Sequence, residues 1–324
     1  MHLMHRANLW LGIAGIVTLA GLVFFFVFGL KPGIDFTGGS LLEVAYSDGS
    51  RPAAPDIRRA VEALNIGSVN VQLVDPQGAQ LRFKEVTEAQ HQEILNTLRR
   101  DSENVATSTA ATGDTVIATG TTASSTPAAR VDELRFDTIG PSIGQELKER
   151  AIYAVLIALL VIIAYVAWAF RKVSKPVASW KYGVVSIVAL FHDIMVVVGV
   201  FALLGRYAGI EIDSAFIAAL LTVLGYSVND TIVVLDRVRE NLPRSNEDFL
   251  GTVDTSISQT VARSINTTLT TVLALLALLF FGGETIRYFI LALTIGISSG
   301  AYSSIFIAAP LLILWEKWGR RRAT

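Results

Sequence analysis

The stretch Gly225-Tyr-Ser-Val-Asn-Asp-Thr-Ile-Val-Val-Leu-Asp-Arg-Val-Arg-Glu-Asn241 begins inside an apolar run and ends in a cluster of charges. Asp230 sits in the apolar part. If the segment is helical, the charges at Asp236 and Arg237 lie about 9 Å further along the axis, at 1.5 Å per residue. A carboxylate is costly in an apolar setting unless it is paired or used. Which of these applies to Asp230 depends on what surrounds it.

The surroundings are those of a membrane. The chain has 324 residues, 52% of them hydrophobic and only 17% charged; soluble domains average about 25% charged. Its net charge of −1 carries no bulk signal for nucleic acid. It has no cysteine, which excludes disulfides, thiolate metal sites and a cysteine nucleophile. No residue pattern calls for a metal or another cofactor.

A helix needs about 20 mostly apolar residues to cross a bilayer. Six runs qualify, near Leu9–Leu30, Ile152–Phe170, Tyr182–Leu204, Ser214–Leu235, Ser264–Phe281 and Tyr288–Trp315. The first is longer than the apolar core of a signal peptide and no small-residue cleavage site follows it, so it reads as an uncleaved anchor. Lys and Arg orient the spans. Arg171, Lys172, Lys175 and Lys181 lie between the second and third, and Arg237, Arg239, Arg244 and Arg263 between the fourth and fifth. Lys317, Arg320, Arg321 and Arg322 follow the sixth, while the alternate short loops hold only Arg206 and Arg287. Both termini are therefore expected in the cytoplasm. Trp10, Trp168, Trp180, Trp315 and Trp318 fall near span ends, as an interfacial belt requires.

The expected plan is residues 1–30 for the N-terminus and first helix, 31–148 for an extracytoplasmic domain, 149–316 for helices two to six, and 317–324 for a basic tail. In the domain, LLEVAYS alternates as a strand and PDIRRAVEALN reads as a helix opened by proline. SVNVQLVDPQGAQLRFKEV reads as two strands turning at Pro76–Gly78. TEAQHQEILNTLRRD reads as a helix in which Thr87 and Gln90 have capping-box spacing. RVDELRFDTIG reads as the last strand. The order βαββαβ suits a ferredoxin-like α+β fold, which by itself names no function. Residues 105–129, rich in Ala, Thr, Ser and Gly, read as a flexible insert in which VIA is the one strand-like triplet.

Ionisable groups inside spans are functional hypotheses by default. Asp230 reads as a proton or ion site, because low dielectric makes the neutral or cation-bound carboxyl competitive with the free anion. The structural alternative is an ion pair. Arg263, at the start of the fifth span, is its natural partner if the fourth and fifth helices pack antiparallel; the plain alternative is an interfacial arginine. Arg263 is followed by Ser264, Asn266, Thr267, Thr268, Thr270 and Thr271, a polar entry expected to face helices or a wet cavity. His192 and Asp193, in the middle of the third span, extend a proton path or lock helices together. Gly296, Ser299, Gly300 and Ser303 give the sixth span a small face for close packing. No HExxH, GxGD or Walker A motif is present, and GISSG matches the rhomboid-type GxSG only loosely, so intramembrane proteolysis and ATP use are not expected.

Four motifs together resemble one family. GIDFTGGS follows the first span, GPSIGQEL precedes the second, FHD lies in the third and GYSVNDTIVVLDRVREN in the fourth. The set is similar to SecF of the SecD/SecF family, within the RND superfamily of proton-driven transporters, over nearly the whole chain. The resemblance implies six helices of RND type and an outer domain like the family's P4 domain, in which the Ala/Thr-rich insert departs from a compact version. It implies a non-enzymatic role beside SecD, the SecYEG channel, SecA and YajC, in the bacterial inner membrane, drawing on proton or sodium motive force in late translocation of unfolded polypeptide. It implies ion coupling at Asp230 and at Arg263, within QTVAR. It also implies a conformational role for Gly33, Asp35, Phe36, Gly38 and Gly39, with a simple exit turn as the alternative. Membrane lipid is the expected surrounding and nucleic acid is not a partner. An exporter half of the same superfamily and a passive scaffold are the competing functions. An exporter normally needs two such halves, and a scaffold leaves Asp230 unexplained.

Overall fold

A computed structural model describes residues 3–46, 51–74, 77–111, 131–171 and 178–323. The elements in chain order are α1 (Ala7–Phe28), α2 (Ile34–Thr37), β1 (Gly39–Tyr46), α3 (Ala54–Glu62), β2 (Asn70–Val74), β3 (Gly78–Phe83), α4 (Glu88–Ala111) and β4 (Val131–Ile139). Then come α5 (Pro141–Ala169), α6 (Ser179–Tyr207), α7 (Ser214–Asn241), α8 (Phe249–Phe281), α9 (Glu284–Ser303), a π-helical turn (Ser304–Ala308) and α10 (Ala309–Ala323). They form two compact units, Met1–Lys31 with Arg150–Thr324, and Pro32–Glu149.

Among the described residues six helices are long and apolar enough to cross a membrane. Several outrun the apolar stretches that mark them. α8 starts at Phe249, fifteen residues before Ser264, because Asp248 caps it by accepting from Gly251 N–H at 2.8 Å. α7 is capped in the same way by Asp213, which accepts from Phe216 N–H at 2.8 Å. The sixth span runs on through the π turn into α10, so the basic C-terminal residues continue a helix as far as Ala323.

Glycines permit close helix contacts at two places. A Cβ on Gly21 of α1 would lie 2.3 Å from the Met195 carbonyl oxygen on α6, and one on Gly199 would lie 2.5 Å from Gly21 Cα. On α9, a Cβ on Gly296 would meet Val223 of α7 at 2.3 Å, and one on Gly300 would meet Ser227 at 3.0 Å. The small face expected on the sixth span is therefore where α9 packs: Gly296 and Gly300 lie against α7, while Ser299 and Ser303 reach Asp193 of α6. Large apolar side chains on α1, α5 and α8, among them Phe26, Leu160 and Phe281, remain exposed. Lipid tails solvate such a surface at no cost, which water does not.

The other unit is a four-stranded antiparallel sheet in the order β2-β3-β1-β4. That order follows from two interlocked β-α-β units, as the βαββαβ reading requires. Alternation puts Leu42, Val44 and Tyr46 of β1 into a core with Ile57 and Val61 of α3 and Ile94, Leu95 and Leu98 of α4. The capping box forms: Thr87 N–H donates to Gln90 Oε1 at 2.9 Å and Gln90 N–H to Thr87 Oγ1 at 3.5 Å. α4 then runs to Ala111, so the first residues of the expected insert are helical. Alanine, a strong helix former, lets the helix run on past Asp101. Residues 112–129 of that insert, with VIA, lie outside the described residues, as do Lys172 and Lys175.

Burial raises the Asp101 carboxyl above its ordinary range, and the charge of Asp56 adds to the effect. The folded unit thus holds that proton more tightly than the unfolded chain does. Asp101 disfavours the fold where it is ionised, and this penalty fades as pH falls through the raised folded value to the unfolded value, about 3.9. Asp101→Asn is expected to slow hydrogen exchange of the β1 and α4 amides about twofold at pH 7, a small effect because the group is partly solvated. The difference should vanish near pH 3.

Candidate functional site

Asp230 lies on α7, nearer its C-terminal end, and is 7% exposed. Ser264 Oγ of α8 donates to its Oδ1 at 2.7 Å, and Ser304 Oγ donates to its Oδ2 at 2.5 Å. Ser304 is the first residue of the π turn. Such turns widen a helix by one residue and recur at functional sites. Among the described residues Asp230 is thus held between three elements by neutral hydroxyls.

Arg263 does not supply the expected charge. It is exposed, and among the described residues no Lys or Arg forms an ion pair with Asp230. Consecutive residues on a helix point about 100° apart, so when Ser264 faces α7, Arg263 is turned away. The polar entry of α8 divides in the same way. Ser264 and Thr268, one turn apart, are buried, whereas Asn266, Thr267 and Thr270 are exposed. Thr267, Thr270 and Thr271 spend their hydroxyls on the carbonyls of Arg263, Asn266 and Thr267, four residues back, at 2.9–3.0 Å.

A second carboxylate sits close by. Asp193, at the middle of α6, is 0% exposed. Its Oδ1 accepts from Ser299 Oγ at 2.7 Å and faces His192 Nδ1 at 3.1 Å. Its Oδ2 accepts from Ser227 Oγ at 2.5 Å and from Ser303 Oγ at 2.7 Å. His192 Nε2 is buried with no hydrogen-bond partner among the described residues. A ring carrying its single hydrogen on Nδ1 fits both contacts, since a buried unpaired N–H is costly. Burying two carboxylates would cost several kcal/mol each without donors. A hydrogen bond to a charged group returns about 1.5–3 kcal/mol.

Sequence reasoning singled out both aspartates but not the hydroxyls that hold them. Ser264 is read there only as part of a polar entry, Ser299 and Ser303 only as small packing residues, and Ser227 and Ser304 are given no role. The available signal was SSGAYSS, residues 298–304, which places serines four and five apart on an otherwise apolar helix.

The glycine motif is built separately. Gly33 precedes α2, which holds Asp35 and Phe36, and Gly38 and Gly39 follow with φ of +73° and +121°. A Cβ on Gly39 would also lie 2.7 Å from the Phe83 carbonyl oxygen, so both backbone shape and space require glycine there. A Cβ on Gly38 would lie 2.8 Å from Pro141 Cα, where α5 begins.

Comparison with known proteins identifies the family. The family model described as protein export membrane protein SecD/SecF, C-terminal, matches residues 119–318, and the SecD/SecF GG motif matches residues 23–49. The protein translocase subunit SecF of Thermobaculum terrenum is 40% identical over 317 residues, 93% of this chain and 89% of that one. The chain belongs to the SecF family. SecF of Anaerolinea thermophila is 36% identical, covering 100% of this chain and 98% of its own. The crystal structure of SecDF, a translocon-associated membrane protein from Thermus thermophilus, superposes with a TM-score of 0.77 at 31% identity. That match covers 98% of this chain and 39% of the SecDF chain, so this chain spans well under half of that protein's length. Members of the SecF family are multi-pass membrane subunits of the protein translocase, and this chain carries the six helices and antiparallel sheet expected of one.

Proposed function

We propose that this SecF-family chain acts with SecD to couple the proton or sodium motive force to late steps of polypeptide translocation, and that Asp230 is the group that gains and loses the ion. The observation that carries this reading is a buried carboxylate held by neutral hydroxyls from two other helical elements. Among the described residues no fixed cation neutralises it, so a mobile one has a place to go. Filling and emptying that place changes what Ser264 and Ser304 bond to, and so the relative stability of two packings of α7, α8 and α9. Such a difference is what an ion must supply to drive a conformational change. One charge moving through 100 mV is worth about 2.3 kcal/mol, enough to shift a two-state equilibrium more than tenfold. The glycine motif is the proposed outlet of that change, and Arg263 the proposed partner in a packing other than the one described above. The setting is the bacterial inner membrane, with both termini and the basic loops cytoplasmic and the α+β unit outside. SecYEG with SecA, and YajC, are the proposed assembly partners.

The test uses membrane vesicles carrying SecYEG, SecD and this chain, supplied with SecA, ATP and a secretory precursor. An imposed proton or sodium gradient should speed completion of translocation with the native chain and have no effect with Asp230→Asn. A gradient response that survives the replacement sinks the reading and leaves a scaffold role. A response to drugs or lipids with no effect on translocation would favour an exporter.

A further inference from the structure

The proposal above uses Asp230 and leaves Asp193, the more deeply buried carboxylate, without a task. The two are linked twice. Ser227, which donates to Asp193, is three residues before Asp230 on α7, about 4.5 Å along the axis. Ser303, which also donates to Asp193, is bonded in the chain to Ser304, which donates to Asp230. That second link is the junction where α9 gives way to the π turn.

The two carboxylates differ in what they are given. Asp193 has three hydroxyls and the His192 ring, from α6, α7 and α9, while Asp230 has two hydroxyls. Hydrogen bonds to a charged form favour that form, and two like charges close together in low dielectric disfavour a second ionisation. Neighbouring acids placed in unequal environments divide the acid and base roles between them. We propose that Asp193 is the permanent anion of this pair: a positioning residue whose charge draws the mobile cation onto Asp230, and whose serine contacts aim Ser304 at it. The inference rests on the reading of Asp230 as the ion-exchanging group.

Among the described residues no other charged side chain bonds to either carboxylate; Asp236 and Arg237 on α7 lie about 9 Å along the axis beyond Asp230, where they pair with Arg239 and Glu240. α1 contributes none between Ala7 and Phe28. α6 contributes His192, and α7 the half-buried Tyr226. Arg263 of α8 is exposed. Tyr302 of α9 has its ring 5.9 Å from that of His192 and donates its hydroxyl to the Trp10 carbonyl at 3.4 Å. Asp254, which accepts from Met4 N–H, lies ten residues from Ser264, about 15 Å along α8, and Glu316 lies about 18 Å beyond Ser304.

The experiment is labelling of the full chain, co-assembled with SecD in vesicles, with dicyclohexylcarbodiimide. This reagent reacts with protonated carboxyls in apolar surroundings, and the modified peptides are quantified by mass spectrometry across a pH series. In the native chain Asp230 should label with a defined pH midpoint and Asp193 should not label. In Asp193→Asn the Asp230 midpoint should fall by about one pH unit or more, since the anion that favoured its proton is gone. Asp193→Glu should restore it. If Asp193→Asn does not assemble, Ser299→Ala takes its place; it removes one donor from Asp193, and labelling should then appear at Asp193 itself. Sodium that protects Asp230 at fixed pH identifies the ion as sodium, and protection that is lost with Asp193→Asn supports the same role. An unchanged Asp230 midpoint in an assembled Asp193→Asn, or labelling of native Asp193, overturns this inference while leaving Asp230 as the ion site. Native Asp230 that labels at no pH and is indifferent to sodium overturns both.

Discussion

Cells whose only SecF carries Asp230→Asn will accumulate unprocessed secretory precursors to the level of cells with no SecF, although the variant inserts and pairs with SecD normally. Two opposite effects are expected from one substitution. Asn has nearly the shape of Asp, and its carbonyl oxygen still accepts a hydroxyl hydrogen from Ser264 or Ser304. A neutral amide is also cheaper to bury than an ionised carboxylate. The variant should therefore be at least as stable as the native chain, measured by thermal aggregation in detergent. What it lacks is a group that exchanges a cation. If motive force enters at this residue, the loss in export should be about tenfold or more, the bias that one charge crossing the membrane supplies. Export that stays normal with the variant assembled would remove Asp230 from the mechanism.

The second large effect concerns assembly. Gly21→Leu or Gly199→Leu should prevent the chain from accumulating as a folded protein. Both sites lie where α1 and α6 touch backbone to backbone. The Cβ added at Gly21 meets a carbonyl oxygen at 2.3 Å, and the one added at Gly199 meets a Cα at 2.5 Å. Neither obstacle is a side chain that can swing away, so the helices must separate. Overpacking of a tight core costs about 1–3 kcal/mol for a few added methylenes. Leucine here also displaces a helix, and total stabilities are only about 5–15 kcal/mol. Gly12→Leu and Gly15→Leu are the controls. They are on the same helix, with nothing within 4 Å of the new Cβ, and should be silent. Equal loss from all four would mean that α1 tolerates no bulk anywhere, and that the Gly21–Gly199 contact is not special.

Much of this was legible in advance for a physical reason that can be named. Apolar runs report the part of a helix withdrawn from water, whether against lipid or against other helices, so the six spans were readable. They do not report where a helix ends, which is why α8 begins at Phe249 and not near Ser264: its start is set by the Asp248 cap, a local signal that hydropathy ignores. Period-two alternation and the Thr87–Gln90 box likewise marked the strands and the α4 start, because each depends only on neighbours in the chain.

The site divides along the same line. A lone Asp in an apolar helix is visible in any reading of the residues, so Asp230 and Asp193 were found from their cost alone. The partner of Asp230 was not. Opposite charge pointed to Arg263, but a helix turns about 100° per residue, and the packing of α7 against α8 presents Ser264 instead. The π turn that carries Ser304 to Asp230 has no one-residue signature. Composition and local pattern were enough to determine a six-span membrane protein with a βαββαβ unit and two carboxylates that must be satisfied. Which hydroxyls satisfy them was decided only by tertiary structure, because it depends on the rotational phase of four helices against one another, a property that no stretch of any one of them contains.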